Sequence, residues 1–271
     1  MRTVTPEDIA DAFRTAGCRP GDTVLVQSDL TRIGPVAGAR GRDGLLDGYT
    51  AGIRQAVGDG GTLAAVTASE GYARHRTPYH HETTPSEQGI LSEHVRTLPG
   101  AVRSLHPLFS VAAVGPGAGA LCEDAAPTGF GHDSAFERLR RLDGLIVCLG
   151  VDLLAMTFTH HIEQTFGVPY GYTKEWTVPV HRNGVVLERR FFAFVRYLDI
   201  GVEYDFTRFQ ERLLACGAAQ RVPLGYGALT AVRAREAFRI GVEMLKDDVF
   251  SFLRTPPARE PWKGARMPGF D

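Results

Sequence analysis

Residues 145–164 read LIVCLGVDLLAMTFTHHIEQ. Leu145–Leu149 is an unbroken apolar run, the pattern of a strand buried on both faces. Gly150 ends it, a short loop follows, and Thr157–Gln164 opens a helix. That order of strand, tight turn and helix is the building unit of an α/β protein. In a helix His160 and Glu163 stand at i and i+3 and share a face. A carboxylate beside an imidazole fixes its tautomer and raises its basicity, which is what a general base needs. A capped helix with one buried and one exposed histidine meets the same spacing, and spacing does not choose between His160 and His161.

The flanking sequence extends the α/β pattern. Thr5-Pro6-Glu7-Asp8 is a helix start. Thr23–Val26 is a strand that runs into Gln27-Ser28-Asp29-Leu30, small polar residues at a strand end, where α/β proteins place ligand contacts; a plain helix cap is the alternative. The glycine-rich loop Gly38–Gly44 lacks the Lys-Ser or Lys-Thr of a phosphate-binding loop. Leu45–Val57 is a helix and Thr62–Val66 a strand. Thr67–Glu87 is a long polar segment with little periodicity, rich in tyrosine and histidine, and such a run inside a compact domain is expected to wall a binding pocket. Its adjacent His80 and His81 are poorly disposed to chelate one ion. A helix from Thr84-Pro85-Ser86-Glu87, a strand Phe109–Val114 and a helix Ala135–Arg141 complete the alternation. The expected fold is an α/β/α sandwich with a mostly parallel central sheet. Beyond it, Trp176–His181, the turn Arg182-Asn183-Gly184 and Val185–Phe194 read as an added C-terminal antiparallel β-hairpin. Phe206–Gly217 is a helix, Val222–Val232 a strand pair and Ala234–Asp247 the last helix; the Pro-rich residues after Arg254 are expected to be loose. No composition break divides residues 1–271, which reads as a single domain.

Composition narrows the function. The chain has 271 residues, 44% hydrophobic and 23% charged, values of a globular protein with a sizeable core. Its net charge of −1 offers no case for a nucleic acid or an anionic membrane as partner. No apolar run approaches a membrane span, and the N-terminus lacks the order of a signal peptide. Cys18, Cys122, Cys148 and Cys216 are far apart, as expected of reduced thiols in a cytoplasmic protein.

Six segments in order resemble the aminoglycoside 3-N-acetyltransferase family, whose fold differs from that of the GNAT acetyltransferases. They are Val26-Gln27-Ser28-Asp29-Leu30 with Ile33-Gly34; Gly60-Gly61-Thr62-Leu63; Thr84–Gly89; Arg103-Ser104-Leu105-His106-Pro107 with Ser110 and Gly115; Gly131 with Ser134; and Leu149-Gly150-Val151 with Thr157, His160 and Glu163. The resemblance covers roughly residues 5–255. It implies acyl transfer from acetyl-CoA, as co-substrate, to a small-molecule amine, with His160 as general base oriented by Glu163, direct transfer through a tetrahedral intermediate, and no metal. Residues 1–165 would be the CoA-binding core, 166–255 the hairpin and helices, and 256–271 the tail. CoA contacts are implied for Gln27, Ser28, Asp29, Leu30, Ser104, His106, Pro107 and Ser110. Backbone N–H groups near Ser28–Leu30, or the Ser28 or Thr157 hydroxyl, are candidate oxyanion donors. The acceptor-side candidates are Glu70, Tyr72, His80, Asp152 and Thr157. The active unit would be a monomer or a homodimer.

The sequence also departs from that pattern. The family usually has His at the position of Gln27 and Ser at that of Asp29, and Leu153–Met156 is unusually apolar. Thr67–Glu82 holds two acids, Glu70 and Glu82, against Arg74 and Arg76. A polycationic aminoglycoside wants a more acidic pocket, so the expected acceptor is an amino group of an amino sugar or an aminoglycoside-like natural product. The alternatives are a biosynthetic amine with a different acyl-CoA, or a metal-dependent hydrolase using His160, His161 and Glu163 with His80 or His132.

Overall fold

A computed structural model describes residues 2–259 of the chain. Its first part contains α1 (Pro6–Thr15), β1 (Thr23–Ser28), α2 (Gly41–Val57), β2 (Thr62–Val66), α3 (Glu70–His75), β3 (Tyr79–His80) and α4 (Ile90–Thr97). There follow β4 (Val102–Arg103), β5 (Val111–Val114), α5 (Ala118–Cys122), α6 (Ala135–Arg141), β6 (Leu145–Leu149) and α7 (Thr159–Phe166). The last part holds β7 (Gly171–Trp176), β8 (Val180–Arg182), β9 (Val185–Val186), β10 (Phe191–Arg196), α8 (Thr207–Ala215), β11 (Ala219–Leu224), β12 (Gly227–Arg233) and α9 (Ala234–Asp247). Local chemistry explains several boundaries. Thr5 and Asp8 form a reciprocal capping box ahead of Pro6, and Ser134 caps α6 through Glu137 N.

The central sheet has seven strands in the order β11-β12-β6-β1-β2-β5-β4. Strands β11, β6, β1, β2 and β4 run one way, and β12 and β5 the other. The sheet is therefore mostly parallel in strand direction, although the parallel ladders are those of its centre, β6–β1–β2. Successive residues of β1 point to opposite faces. Val24 and Val26 join Ile9, Phe13, Tyr49, Ile53 and Leu91 beneath α1, α2 and α4. Leu25 joins Leu121, Phe136, Ile162, Phe209 and Ile240 beneath α5–α9. The result is the expected three layers, helix on sheet on helix.

The C-terminal hairpin differs from the expectation. The Asn183-Gly184 turn is present, with φ of 51° and 75°, but the strands it joins are only β8 and β9. The longer arms pair separately as β7 with β10, and β8 pairs parallel with β3. Pro179 and the irregular run Leu187–Arg190 interrupt what the alternation read as continuous arms. The antiparallel hairpin that extends the central sheet is instead β11–β12, beside β6. The segment 67–87 is also not structureless: α3 and β3 lie within it. Tyr72 and Tyr79 pack with Leu105, Leu108, Val178 and Phe191 in a satellite core under β7–β10. After Arg254 the backbone is still tied down, since Ala258 N donates to Ile200 O at 2.9 Å. The rest of the expected tail, 260–271, lies outside the described residues.

Candidate active site

The strand–turn–helix unit read from the sequence is present, and long-range contacts hold it. Asp29 N donates to Leu149 O at 2.9 Å, so β1 and β6 run side by side to their carboxyl ends. Gly150 follows at φ 73°, and a Cβ there would stand 2.3 Å from Asp29 O. Only glycine allows the two strand ends to approach this closely while the chain turns. A 3-10 turn, Leu153–Ala155, leads into α7. It is pinned from two sides. Leu153 N donates to Gln210 Oε1 of α8, while Gln27 at the end of β1 donates through Nε2 to Ala155 O and to Thr157 Oγ1 and accepts from Thr157 N.

Helix α7 then presents His160 and Glu163 one turn apart. His160 Nδ1 donates to Glu163 Oε2 at 2.6 Å, which leaves Nε2 as the basic nitrogen. Glu163 is wholly buried, whereas the His160 side chain keeps 24% of its surface exposed. The carboxylate is thus shielded from solvent while the imidazole is partly accessible. Rings of Phe130 and Tyr204 lie 5.3 and 5.2 Å from that of His160, with Phe206 beyond at 6.5 Å. His161 belongs to the core: its Nδ1 donates to Phe130 O at 2.6 Å and its ring packs on Phe158 and Phe238. Burial pushes its pKa down to about 4.

The remaining predicted residues separate into two groups. Gln27, Ser28, Asp29, Leu30 and Thr157 gather with His160 at the carboxyl ends of β1 and β6, the ligand-binding edge of such sheets. Within that group Gln27 is a clamp, with both of its N–H donors spent on the loop. Asp29 caps the 3-10 turn Leu30–Arg32 by accepting from Thr31 N at 3.1 Å, and its own N–H is used on Leu149. Asp29 N is therefore excluded as an oxyanion donor. Leu30 is buried, and Ser28 is half-buried.

Ser104, His106, Pro107 and Ser110 form a structural knot rather than an open binding surface. His106 Nδ1 accepts from Leu108 N and Phe109 N, Nε2 donates to Phe192 O, and burial lowers the pKa to about 4. Ser104 Oγ accepts from Val111 N. Ser110 Oγ accepts from Arg103 Nε and donates to Thr67 O. Arg103 completes the knot by donating to Thr84 O and Thr67 O and lying over the Tyr79 ring. Pro107 is buried. The acceptor-side candidates also diverge. The Tyr72 hydroxyl is buried and donates to Val178 O, Glu70 pairs with Arg74 at 2.8 Å, and His80 stacks on His181. Asp152 pairs with Arg221 at 3.4 Å beside a cavity of about 390 Å³, which Arg32, Gly150, Val151 and Tyr226 also line. A cavity of about 460 Å³ between α1 and β11 is lined by neither His160 nor Glu163, and its position is unrelated to the dyad.

The hydrolase alternative would need a ligand cluster, and among the described residues no group of three or more His, Cys, Asp or Glu side chains is placed to hold a metal ion. Sequence reasoning missed the aromatic frame, Phe130, Tyr204 and Phe206, and also Tyr170. Tyr170 sits in a tyrosine-rich run directly after α7; Tyr204 has no local signal.

The sequence profile of the family described as aminoglycoside 3-N-acetyltransferase matches residues 25–246. The chain is 30% identical to aminoglycoside N(3)-acetyltransferase IV of Salmonella sp over 244 residues, covering 89% of this chain and 87% of that one. It is 30% identical to aminoglycoside N(3)-acetyltransferase VIII of Streptomyces fradiae over 270 residues, covering 90% and 92%. A solved binary complex of AAC-IIIb with CoASH shares the fold at a TM-score of 0.77 and 23% identity, covering 94% of this chain and 100% of that one.

Proposed function

The chain belongs to the aminoglycoside 3-N-acetyltransferase family, and on that premise we propose that it carries the acetyl group of acetyl-CoA to a primary amine of an amino sugar or aminoglycoside-like natural product, with His160 as general base. The observation that carries the reading is the 2.6 Å contact from His160 Nδ1 to buried Glu163, with the His160 side chain itself partly exposed. Nε2 takes a proton from the amine as its nitrogen forms the C–N bond. Glu163 stabilises the imidazolium. The tetrahedral intermediate collapses, the C–S bond breaks, and the imidazolium returns the proton to the leaving thiolate. Thr157 Oγ1 accepts from Gln27, so its own hydrogen is free to donate to the oxyanion. The CoA arm is assigned to the carboxyl ends of β1 and β6, along Ser28, Gly150 and Val151. Residues 1–271 are read as one acyltransferase domain, because β11–β12 completes the sheet that carries β1 and β6.

The acceptor is read as carrying fewer ammonium groups than the multiply charged aminoglycosides. Glu70 and Asp152 are already paired with arginines, so a polycation would have to displace both. The test is thiol release from acetyl-CoA with amines graded from one ammonium group to several. His160→Ala should lose at least about 10²-fold, and EDTA should change nothing. An active His160→Ala variant, or loss on chelation, would overturn the mechanism; kcat/KM rising steadily with acceptor charge would overturn the acceptor class.

A further inference from the structure

We propose that Tyr170 is a positioning residue of the dyad, its hydroxyl donating to the second carboxylate oxygen of Glu163 and so holding that group aimed at His160. The inference rests on His160 being the general base. Glu163 spends Oε2 on His160, while its Oε1 is buried with no hydrogen-bond partner. The Tyr170 hydroxyl is likewise buried with no partner. Two buried orphans of opposite hydrogen-bonding character are rare in a folded protein unless they serve each other.

The chain brings them together. Helix α7 ends at Gly167, at φ 83°, and Gly167 N and Val168 N both donate to Glu163 O. The chain turns at Gly167, and the Tyr170 hydroxyl comes within interaction reach of the Glu163 carboxylate. Tyr170 O accepts from Tyr197 N, and the ring rests on Phe250. Burial, and after it the Glu163 charge, push the Tyr170 phenol far above its ordinary range, so it is a donor at all working pH values. The other ionisable groups facing this pocket are His160 on α7, Tyr204 ahead of α8, Arg196 of β10 and Asp248 after α9. Tyr204 is a second phenol within hydrogen-bonding reach of Glu163, but its ring is engaged otherwise, flanking His160 while Arg196 covers it at 5.3 Å.

Tyr170→Phe keeps the ring and removes only the donor. We expect kcat near pH 7 to fall about tenfold with KM for acetyl-CoA within about twofold. A carboxylate that has lost a donor holds the imidazolium proton more tightly, so the acid limb of kcat/KM should move to higher pH and the deficit should shrink at alkaline pH. Replacing Tyr170 by 3-fluorotyrosine, a stronger donor, should move the limb the other way, and this variant decides the matter if the phenylalanine one does not fold. In a Glu163→Gln background Tyr170→Phe should cost less than about twofold more. An unmoved acid limb, even with a lowered Tm, overturns the proposal, as does a full loss in the Glu163→Gln background. His160→Ala retaining the wild-type rate would instead refute the general-base reading. An inactive His160→Ala beside an unaltered Tyr170→Phe would refute Tyr170 alone.

Discussion

Replacing Gln27 with alanine discriminates between a clamp and a CoA contact. Its side-chain amide makes three hydrogen bonds to the loop ahead of α7: Nε2 to Ala155 O, Nε2 to Thr157 Oγ1, and Oε1 from Thr157 N, the last two both at 3.0 Å. The site is buried, so truncation strands a carbonyl and an N–H as well as losing the bonds. At ~1 kcal/mol for each bond the loss is about 3 kcal/mol. For a domain of this size that lowers Tm by roughly 5 °C. The larger effect falls on chemistry. The loop sets where α7 begins, and a displacement of ~1 Å at His160 costs on the order of 10²-fold in rate. The expected result is therefore a lower Tm and a lower kcat with KM for acetyl-CoA little changed. Thr157→Val, which removes only one acceptor, should cost about 1 kcal/mol. Calorimetry and steady-state thiol release measure both quantities. If Gln27→Ala keeps Tm and kcat but raises KM for acetyl-CoA, the residue is a ligand contact and the clamp argument is refuted.

Acidification should destabilise the fold before the carboxylates titrate. His106 and His161 are held neutral by burial with pKa values near 4, below the unfolded ~6.5, so the unfolded state binds more protons and stability falls as pH drops through 6.5 towards 4. From pH 7 to pH 5 the loss is about 2 kcal/mol for each; urea titrations at the two pH values check it, and a flat profile would contradict the burial argument. Arg103→Ala removes donors to Ser110, Thr84 and Thr67 and the cation over Tyr79, and should cost roughly 3–5 kcal/mol in a denaturant series; a loss below about 1 kcal/mol would show the knot to be dispensable. Gly150→Ala places a Cβ 2.3 Å from Asp29 O at a positive φ, so it should part the ends of β6 and β1 and reduce activity at least about tenfold. Wild-type turnover in that variant would show that the strand-end contact does not position α7.

The amino-acid sequence by itself determined the parts of this protein that local interactions govern. An apolar run closed by glycine is a strand and a turn wherever it lies, and Thr5-Pro6-Glu7-Asp8 caps a helix with atoms no more than a turn apart. Asn183-Gly184 makes its tight turn for the same reason. The i, i+3 spacing put His160 against Glu163 before any fold was known. Tertiary structure decided what depends on residues far apart in the chain. Nothing local to Gln27 shows that its amide reaches Ala155 and Thr157, 128 and 130 residues away. Nor does the Arg103–Ser110 motif show that His106 bonds Phe192 O or that Arg103 and Ser110 both reach Thr67 O. Strand order shares this property: β12 lies against β6 because both bury apolar faces between the same helices, and nothing local to either strand encodes that neighbour. The contrast between His160 and His161 arises the same way. Both sit at the start of one helix, and the rings of Phe158 and Phe238 close over His161 while the His160 side chain keeps part of its surface exposed.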